Sequence, residues 1–518
     1  MAASTFLFHP LMNEVVPYNA SYQFPSQATR STKRTVKVTP KNNASSYLSG
    51  STIRFEFPAS GYLNPSNTYL SFNCRAKINS GAFLAGTTGV QFGGLEFQQN
   101  IASIFRRVRV LYGSLVLEDI QDYNILQRLF TDCLSKSGGS YSDTGMFQGI
   151  GRSNRIGAST NTGYHLRDTL TQDRHNYHSL ETGATPTEVG TCVRRYSIPI
   201  NTGVFQQKRL LPLKFMSSQL QIEFELADAV DSQIWVIGTG GTPTIPTAAQ
   251  TEVGLAELTC ELLEFDAEFD SAVFTGLSNG LAIPFQSWHV TSQNIQPGTN
   301  FMINIQESSR SVRYALAAIT DDAFRVLSKD AHKFLNGLEA TQADAKADTT
   351  DSSNNTPAVT MRSMMDSYQW RLGGTYYPSQ PVPVFGSNSA ALVSTNSVDA
   401  AYADPPVEAY SELMKVFDNQ FGRNTMLGDS DYGIYGCKRN TTTSANTGTC
   451  DNFVIGVDFL TDRGDVIGGI NAEEQNDLML LLKFNSGATN GAAKVVRIVV
   501  CYDNIMILGE SNNMVLVN

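Results

Sequence analysis

The feature that most constrains the fold is the alternation of apolar and polar residues at every second position of many short segments. Residues 53–57 (IRFEF), 70–77 (LSFNCRAK), 220–226 (LQIEFEL) and 258–262 (LTCEL) all follow it. A period of two is that of a β-strand with one face in a core and the other in water. The pattern therefore predicts antiparallel strands of sandwich type, since parallel strands are apolar on both faces.

The second half of the chain repeats this theme less cleanly. Further strands are predicted at 311–319, 367–372, 452–460, 476–484 and 495–508. The last two are apolar at successive positions, which indicates strands that are central in a sheet or packed against another subunit. Helical spacing is rare, and it predicts helices at 119–134, with Asp119 as the N-terminal cap, and at 407–421.

Short strands separated by long polar segments, twice over, predict an all-β fold. The same features favour two stacked β-sandwiches or jelly rolls, with a few short helices in loops. The expected divisions are an N-terminal arm at 1–48, a first jelly roll at 49–272, a linker at 273–282 and a second jelly roll at 283–518. The polar segments 135–190, 338–358 and 438–449 are predicted to be exposed loops.

The charge balance is acidic, with 38 Lys and Arg against 48 Asp and Glu and a net charge of -10. Such a body repels nucleic acid and anionic membranes over most of its surface. Residues 1–50 differ, because their only acid is Glu14. The basic side chains there are Arg30, Lys33, Arg34, Lys37 and Lys41. A basic arm that contacts an acidic partner and a solvated tail both fit this composition.

Two motifs imitate catalytic signatures. Residues 106–130 read as strand, turn and helix, but Tyr112-Gly113-Ser114 lacks the GxxxxGK[ST] pattern of a phosphate loop. A hairpin is predicted there instead. Residues 276–280 (GLSNG) match GxSxG by letters, yet that elbow requires a strand before and a helix after it. Pro284 and the absence of a helical period predict a linker at this place.

Metal and redox chemistry are equally weakly indicated. The seven cysteines form no CxxC pair, and Cys74, Cys260 and Cys501 lie in alternating apolar segments, so we expect core thiols in a reducing compartment. His165, His175 and His178 share one polar segment without a carboxylate at fixed spacing. No catalytic, cofactor or metal site is predicted. No membrane span or convincing signal peptide is visible, so a soluble protein is expected.

Four segments, in order, resemble the conserved blocks of one family, the double jelly-roll major capsid proteins of the PRD1–adenovirus and nucleocytoplasmic large DNA virus lineage. They are the hairpin and helix at 106–130; 194–228 with Ile198-Pro199-Ile200 and Leu211-Pro212-Leu213; 263–274, similar to the strand that leaves the first jelly roll; and the C-terminal segment with Tyr502, Asn504 and Gly509. Residues 1–50 lack the aromatic opening segment of the giant-virus type, which favours a smaller relative such as a virophage or polinton-like virus.

The resemblance implies an all-β chain of two tandem eight-stranded antiparallel jelly rolls, a double jelly roll. It also implies a structural protein of the virion, assembled inside the host cell, and no enzyme. Three chains would form a pseudo-hexagonal homotrimer, the capsomer, which tiles an icosahedral shell beside neighbouring capsomers and minor capsid or penton proteins. The basic residues at 30–41 would face an inner membrane, the genome or a minor capsid protein. The alternative is a tandem β-sandwich that binds carbohydrate or a receptor at a cell surface. That class predicts a secretion signal and paired cysteines, which the sequence does not show.

Overall fold

The computed structural model describes the two β-rich halves of the chain with gaps between them. The described residues are 31–42, 44–79, 94–96, 101–134, 147–149, 177–179, 188–190, 193–228, 235–237, 249–277, 280–321, 365–384, 407–421, 454–461, 468–473, 478–484, 494–509 and 514–517. Segments 338–358 and 438–449 and most of 135–190, which the sequence predicts to be loops, lie outside them. None of the helices in these ranges is long and apolar enough to span a membrane.

Within the described ranges, thirteen strands precede residue 266 and nine follow residue 280. The first group is β1 (Ser31–Val38), β2 (Ser46–Leu48), β3 (Thr52–Glu56), β4 (Tyr62–Asn79), β5 (Gly94–Glu96), β6 (Phe105–Tyr112), β7 (Leu115–Ile120), β8 (Tyr177–Ser179), β9 (Glu188–Gly190), β10 (Arg194–Pro199), β11 (Leu220–Leu226), β12 (Trp235–Ile237) and β13 (Ala249–Phe265). The second group is β14 (Leu281–Ile295), β15 (Asn300–Ile305), β16 (Val312–Asp321), β17 (Met365–Leu372), β18 (Thr375–Pro383), β19 (Val454–Asp458), β20 (Leu478–Phe484), β21 (Lys494–Leu508) and β22 (Met514–Val517). The helices are α1 (Tyr123–Leu134), α2 (Gly203–Gln206), α3 (Ala267–Leu277) and α4 (Val407–Phe421).

Both halves have the same strand order. The first half forms the sheets β1-β13-β4-β10 and β3-β11-β6-β7, and the second forms β14-β21-β16-β19 and β15-β20-β17-β18. Each half has eight main strands, which we number from 1 to 8 in chain order. In both halves one sheet has the strand order 1-8-3-6 and the other has the order 2-7-4-5. Two facing four-stranded sheets connected in this way are a jelly roll. The predicted double jelly roll is therefore confirmed.

The short strands are additions to this frame. Strands β2 and β9 extend the first sheet and β22 pairs with β21, while β12-β5-β8 form a separate three-stranded sheet. All the pairings are antiparallel. The alternation in sequence explains the main sheets. In β11, for example, Ile222 and Phe224 are buried in the first core, and Gln221 points to the other face.

Strand β21 explains why the C-terminal segment is apolar at successive positions. Val496, Ile498 and Val500 pack into a core that lies within the second half. Val499 and Cys501, on the opposite face, join a cluster that also contains residues of the first half. The second face of β21 is thus covered within the chain. Strand β20 lies between β15 and β17, which confirms the expected central position of 476–484, although only one of its faces is fully buried.

Three local expectations are corrected. Asp119 does not cap α1; it lies on β7, and its carboxylate accepts bonds from Arg107 at 2.7 and 2.5 Å. The segment 263–274 is not one strand, since β13 ends at Phe265 and α3 follows. Asp266 starts α3 by accepting the Phe269 N–H at 3.1 Å, and acids in the first turn suit the helix dipole. The expected linker at 273–282 overlaps the end of α3 and the start of β14.

Residues 31–48, expected to belong to an arm outside the sheets, contribute two strands. β1 pairs with β13 from Ser31↔Phe265 to Val38↔Leu258, and β2 pairs with β13 at 252–254. The first jelly roll therefore starts at Ser31 in this structure. The sequence did not predict β1, because nearly all of its residues remain exposed after pairing and the strand therefore lacks an alternating apolar pattern.

Candidate functional site: the junction and outer faces of the jelly rolls

The predicted hairpin at 112–114 is confirmed. Strands β6 and β7 pair on both sides of the turn, at Leu111↔Val116 and Tyr112↔Leu115. Gly113 has φ of 58°, a left-handed conformation that glycine adopts without strain. Its N–H donates to the Gln219 carbonyl at 3.1 Å. That N–H is already bonded within the fold and does not point to a phosphate.

The GxSxG letters at 276–280 do not form a nucleophile elbow. Gly276 and Leu277 end helix α3, and strand β14 follows from Leu281, which reverses the order that an elbow requires. Residues 278 and 279 lie outside the described part of the chain. His165 and His175 lie outside it too, and His178 is on β8. Within the described ranges, no group of three or more His, Cys, Asp or Glu side chains is suited to a metal ion.

Lys33 and Lys37 lie on the outer face of β1, and acids of the same chain face them. Arg34 lies on the opposite face, the one that also carries Val36 and Val38, and Lys41 follows the end of the strand. Lys33 contacts Glu261 at 2.5 Å and Lys37 contacts Glu257 at 3.1 Å. The two further ion pairs are Arg34 with Glu264 and Lys41 with Glu56. Arg30 lies just outside the described residues. Surface ion pairs of this kind contribute only about 0–1 kcal/mol each to the free energy of unfolding, but they offset the local excess of positive charge.

These pairs leave the cations accessible. The exposed fractions of the side chains of Lys33, Arg34, Lys37 and Lys41 lie between 52% and 63%. Glu261, by contrast, is nearly buried, and it also accepts bonds from Asn64 at 3.0 Å and Asn67 at 3.1 Å. The structure thus places Lys33 and Lys37 together on one face of an edge strand, whereas Arg34 lies on its other face and Lys41 pairs with Glu56 of β3.

The contact region between the two rolls is built around a carboxylate that the sequence did not single out. Glu118 on β7 is only 3% exposed. Its Oε1 accepts the Gly203 N–H at 2.9 Å and the Ser287 hydroxyl at 2.8 Å. Its Oε2 accepts the Val204 N–H at 3.2 Å. Ser287 belongs to β14 of the second roll, so Glu118 is bonded to both rolls. We call the Glu118 side chain the junction carboxylate.

The junction carboxylate titrates outside its ordinary range. Burial raises the pKa of Glu118 from 4.5 to about 7, although the bonds from Gly203, Ser287 and Val204 hold the pKa down. Nothing in the sequence separates Glu118 from its neighbour Asp119, because both follow the apolar run at 115–117. Only the folded structure shows that Glu118 is buried and that Asp119 is half-exposed.

Close apolar packing surrounds this carboxylate. Trp288 of β14 meets Phe130 of α1 edge to face at 5.6 Å between ring centroids, and its Nε1 donates to the Tyr314 hydroxyl at 2.9 Å. Gly203 lies so near β14 that a Cβ there would be 1.5 Å from the Gln286 carbonyl oxygen. The two rolls therefore share one continuous hydrophobic cluster rather than a hydrated interface.

Among the described residues, the three most exposed large apolar side chains lie on separate elements. Leu255 on β13 is 68% exposed, Met302 on β15 is 61% exposed and Phe274 on α3 is 60% exposed. Leu255 has φ of 45° beside an irregularity in β13, a left-handed backbone that costs a leucine about 1–2 kcal/mol. These side chains protrude from the outer surface of the chain, where a second protein could cover them.

Comparisons of sequence found nothing similar. No family model matches this sequence, and no curated protein matches it. Comparisons of structure did find relatives of the fold. The Faustovirus major capsid protein superposes with a TM-score of 0.53 at 9% identity, over 95% of this chain and 93% of that one. A chain in the structure of the Sputnik virophage gives a TM-score of 0.53 at 13% identity, over 97% and 91%.

A third solved structure, the mavirus major capsid protein, gives a TM-score of 0.47 at 8% identity, over 97% of this chain and 94% of that one. The Faustovirus and Sputnik matches cover nearly the whole of both chains. At identities this low they establish a shared fold. That fold is the double jelly roll already evident from the strand orders.

Proposed function

We propose that this chain is a major capsid protein, which assembles as a trimeric capsomer in the shell of a double-stranded DNA virus. One observation carries the proposal: two jelly rolls of identical strand order span the chain, and the Faustovirus major capsid protein matches this arrangement from end to end. The proposed location is the virion, with assembly in the host cell. The proposed role is structural and not enzymatic.

The geometry of paired rolls supports a pseudo-hexagonal tile. Three chains around a three-fold axis place six similar jelly rolls in a ring, and closed symmetry makes each contact a repeated patch. A ring of six similar units has an outline close to a hexagon, and hexagons tile a flat facet. The shared hydrophobic cluster fits this role, because the two rolls of one chain must keep a fixed spacing for the ring to close.

The composition of the surface supports lateral contacts between copies. Only 17% of the residues are charged, against roughly 25% in ordinary globular domains. The protruding Leu255, Met302 and Phe274 supply apolar side chains that contact with another copy would bury. Neighbouring capsomers and minor capsid or penton proteins are the proposed partners.

We propose the basic N-terminal region as the contact with the inner side of the shell. The residues are Arg30, Lys33, Arg34, Lys37 and Lys41. Four of them pair with acids of the chain while more than half of each side chain stays exposed, so an acidic surface can still approach these cations. The acidic surface would be a minor capsid protein, an inner membrane or the genome.

The proposed function is tested by the mass of the purified full-length protein, measured by light scattering on a sizing column. We expect a single species of three times 56.5 kDa that persists over a tenfold dilution. A trimer follows from the need to place six rolls in a closed ring. A monomer or a dimer at every concentration would contradict the capsomer.

A further inference from the structure

We propose that Glu118 fastens the two jelly rolls to each other and that this fastening is sensitive to pH near neutrality. The junction holds most firmly when the carboxyl is protonated, and it opens more readily once the carboxyl is ionised. This property belongs to the junction itself; only its consequence for shell assembly rests on the proposed function.

The bonds of Glu118 show why it acts on the junction. Its two oxygens accept from Gly203 and Val204 in the first roll and from Ser287 in the second. All three bonds are buried, so separating the rolls would break the bond to Ser287 and admit water to the carboxylate. A carboxylate in water is far better solvated than one in a protein interior, so ionisation favours the separated state.

The groups around Glu118 do not offset this preference. The titratable groups that face it are Tyr123 from α1 and Cys501 and Tyr502 from β21. Burial raises the pKa of each of these three, so all are neutral at physiological pH. From β14 and the start of α2 come the Ser287 hydroxyl and backbone N–H groups, which do not titrate. His289, two residues further along β14, lies 3.4 Å from Glu307.

The direction of the pH effect follows from the raised pKa of Glu118, about 7 in the fold against 4.5 for an ordinary glutamate. The closed junction binds the proton more tightly than the open one. The stabilisation is therefore complete below about pH 4.5 and is lost as the pH rises through 7. Between these limits the constant for opening rises about tenfold per pH unit, the slope for one proton.

Hydrogen exchange of the native full-length protein measures this opening. The amides of Gly203 and Val204 donate to Glu118, and β14 of the second roll packs directly on Gly203, so water reaches these amides when the rolls separate. After division by the intrinsic exchange rate at each pH, we expect their opening constant to rise about tenfold per unit between pH 5 and 6.5. It should level off above pH 7. In Glu118→Gln, which carries no titrating group, the same constant should be flat.

A second variant tests the contact across the rolls. The Ser287 hydroxyl lowers the pKa of Glu118, so Ser287→Ala should raise this pKa. The levelling point, which is the pH above which the opening constant no longer rises, should therefore move to higher pH. This variant keeps the carboxyl, and it serves as the test if Glu118→Gln does not fold. A wild-type opening constant that stays level from pH 5 to 8 would overturn the proposal. An unchanged levelling point in Ser287→Ala would show that the carboxylate does not act across the junction, which also overturns it.

Discussion

Gly203 shows how a single residue sets the distance between the two rolls. Its backbone is not left-handed, so conformational freedom is not the reason for a glycine here. The reason is space, because a Cβ would lie 1.5 Å from the Gln286 carbonyl oxygen and 2.6 Å from the carbonyl carbon. Both are backbone atoms of β14, which cannot rotate away as a side chain can. Any larger residue must push α2 away from β14.

The substitution Gly203→Ala is accordingly expected to lower the free energy of unfolding by about 3 kcal/mol, at the upper end of overpacking effects. Denaturant unfolding monitored by fluorescence measures this change, and Trp288 at the junction is a suitable reporter. Gly276→Ala is the matched control, since nothing lies within 4 Å of its Cβ and alanine favours its helix. Equal stability of the two variants would contradict the close contact.

Single residues were the least predictable part of the molecule. Glu118, Gly203 and Ser287 come from three distant segments, and each is ordinary in its own local sequence. Their importance depends on which strands meet, a property of the tertiary structure. Core residues were easier, and the predicted core thiols Cys74, Cys260 and Cys501 are all buried, because alternation alone places them on an inward face.

At the scale of elements, β1 is held to the first sheet by backbone pairing and ion pairs rather than by burial. Only Val36 and Val38 are partly buried in it. Its partner β13 carries Leu258, Cys260 and Leu262 in the first core, so β1 covers the edge next to this apolar row. The strand therefore protects a sheet edge that would otherwise be open to pairing with another chain.

Two deletions separate the strand from the segment that precedes it. Removal of residues 1–30 leaves β1 and four of the five basic residues in place, so trimers should form normally and shell assembly should weaken only slightly. Removal of residues 1–45 also removes β1, and we expect aggregation from the bare edge of β13. Light scattering and electron microscopy distinguish these outcomes. Loss of trimers in the first deletion, or a clean trimer from the second, would contradict these roles.

The elements that sequence predicted well are those with a strict period. β3, β11 and α4 were all expected where they occur. β1 was missed because a strand held by ion pairs to residues more than 200 positions away has no local apolar signal. The sequence did not predict α3, because its aromatic and acidic residues also suit a strand. Asp266 favours the helix by accepting the Phe269 N–H at its N-terminus.

At the scale of the whole molecule, the second roll differs from an isolated sandwich. Its sheet β14-β21-β16-β19 buries both faces, one against β15-β20-β17-β18 and the other against the first roll and α4. Gly456 permits the approach of α4, since a Cβ there would lie 2.9 Å from side-chain atoms of Leu316 and Leu413. The sequence predicted such a buried strand at 495–508 without indicating that its second face is covered by the same chain.

The repeat of strand order was foreseen only through the family resemblance. The two rolls share the orders 1-8-3-6 and 2-7-4-5 with no visible repeat in sequence, because a jelly roll needs only alternation along its strands and not particular residues. Alternation fixes which face is inward. It does not specify which strands become neighbours, since pairing depends on contacts between distant segments.

The central claim is that three chains place six jelly rolls in one capsomer. Electron microscopy of the purified full-length oligomer, averaged without imposed symmetry, tests it most directly. We predict particles with a six-sided outline and true three-fold symmetry, in which each third accommodates both rolls of one chain. Particles with two-fold symmetry, or single chains with two lobes and no ring, would contradict the claim.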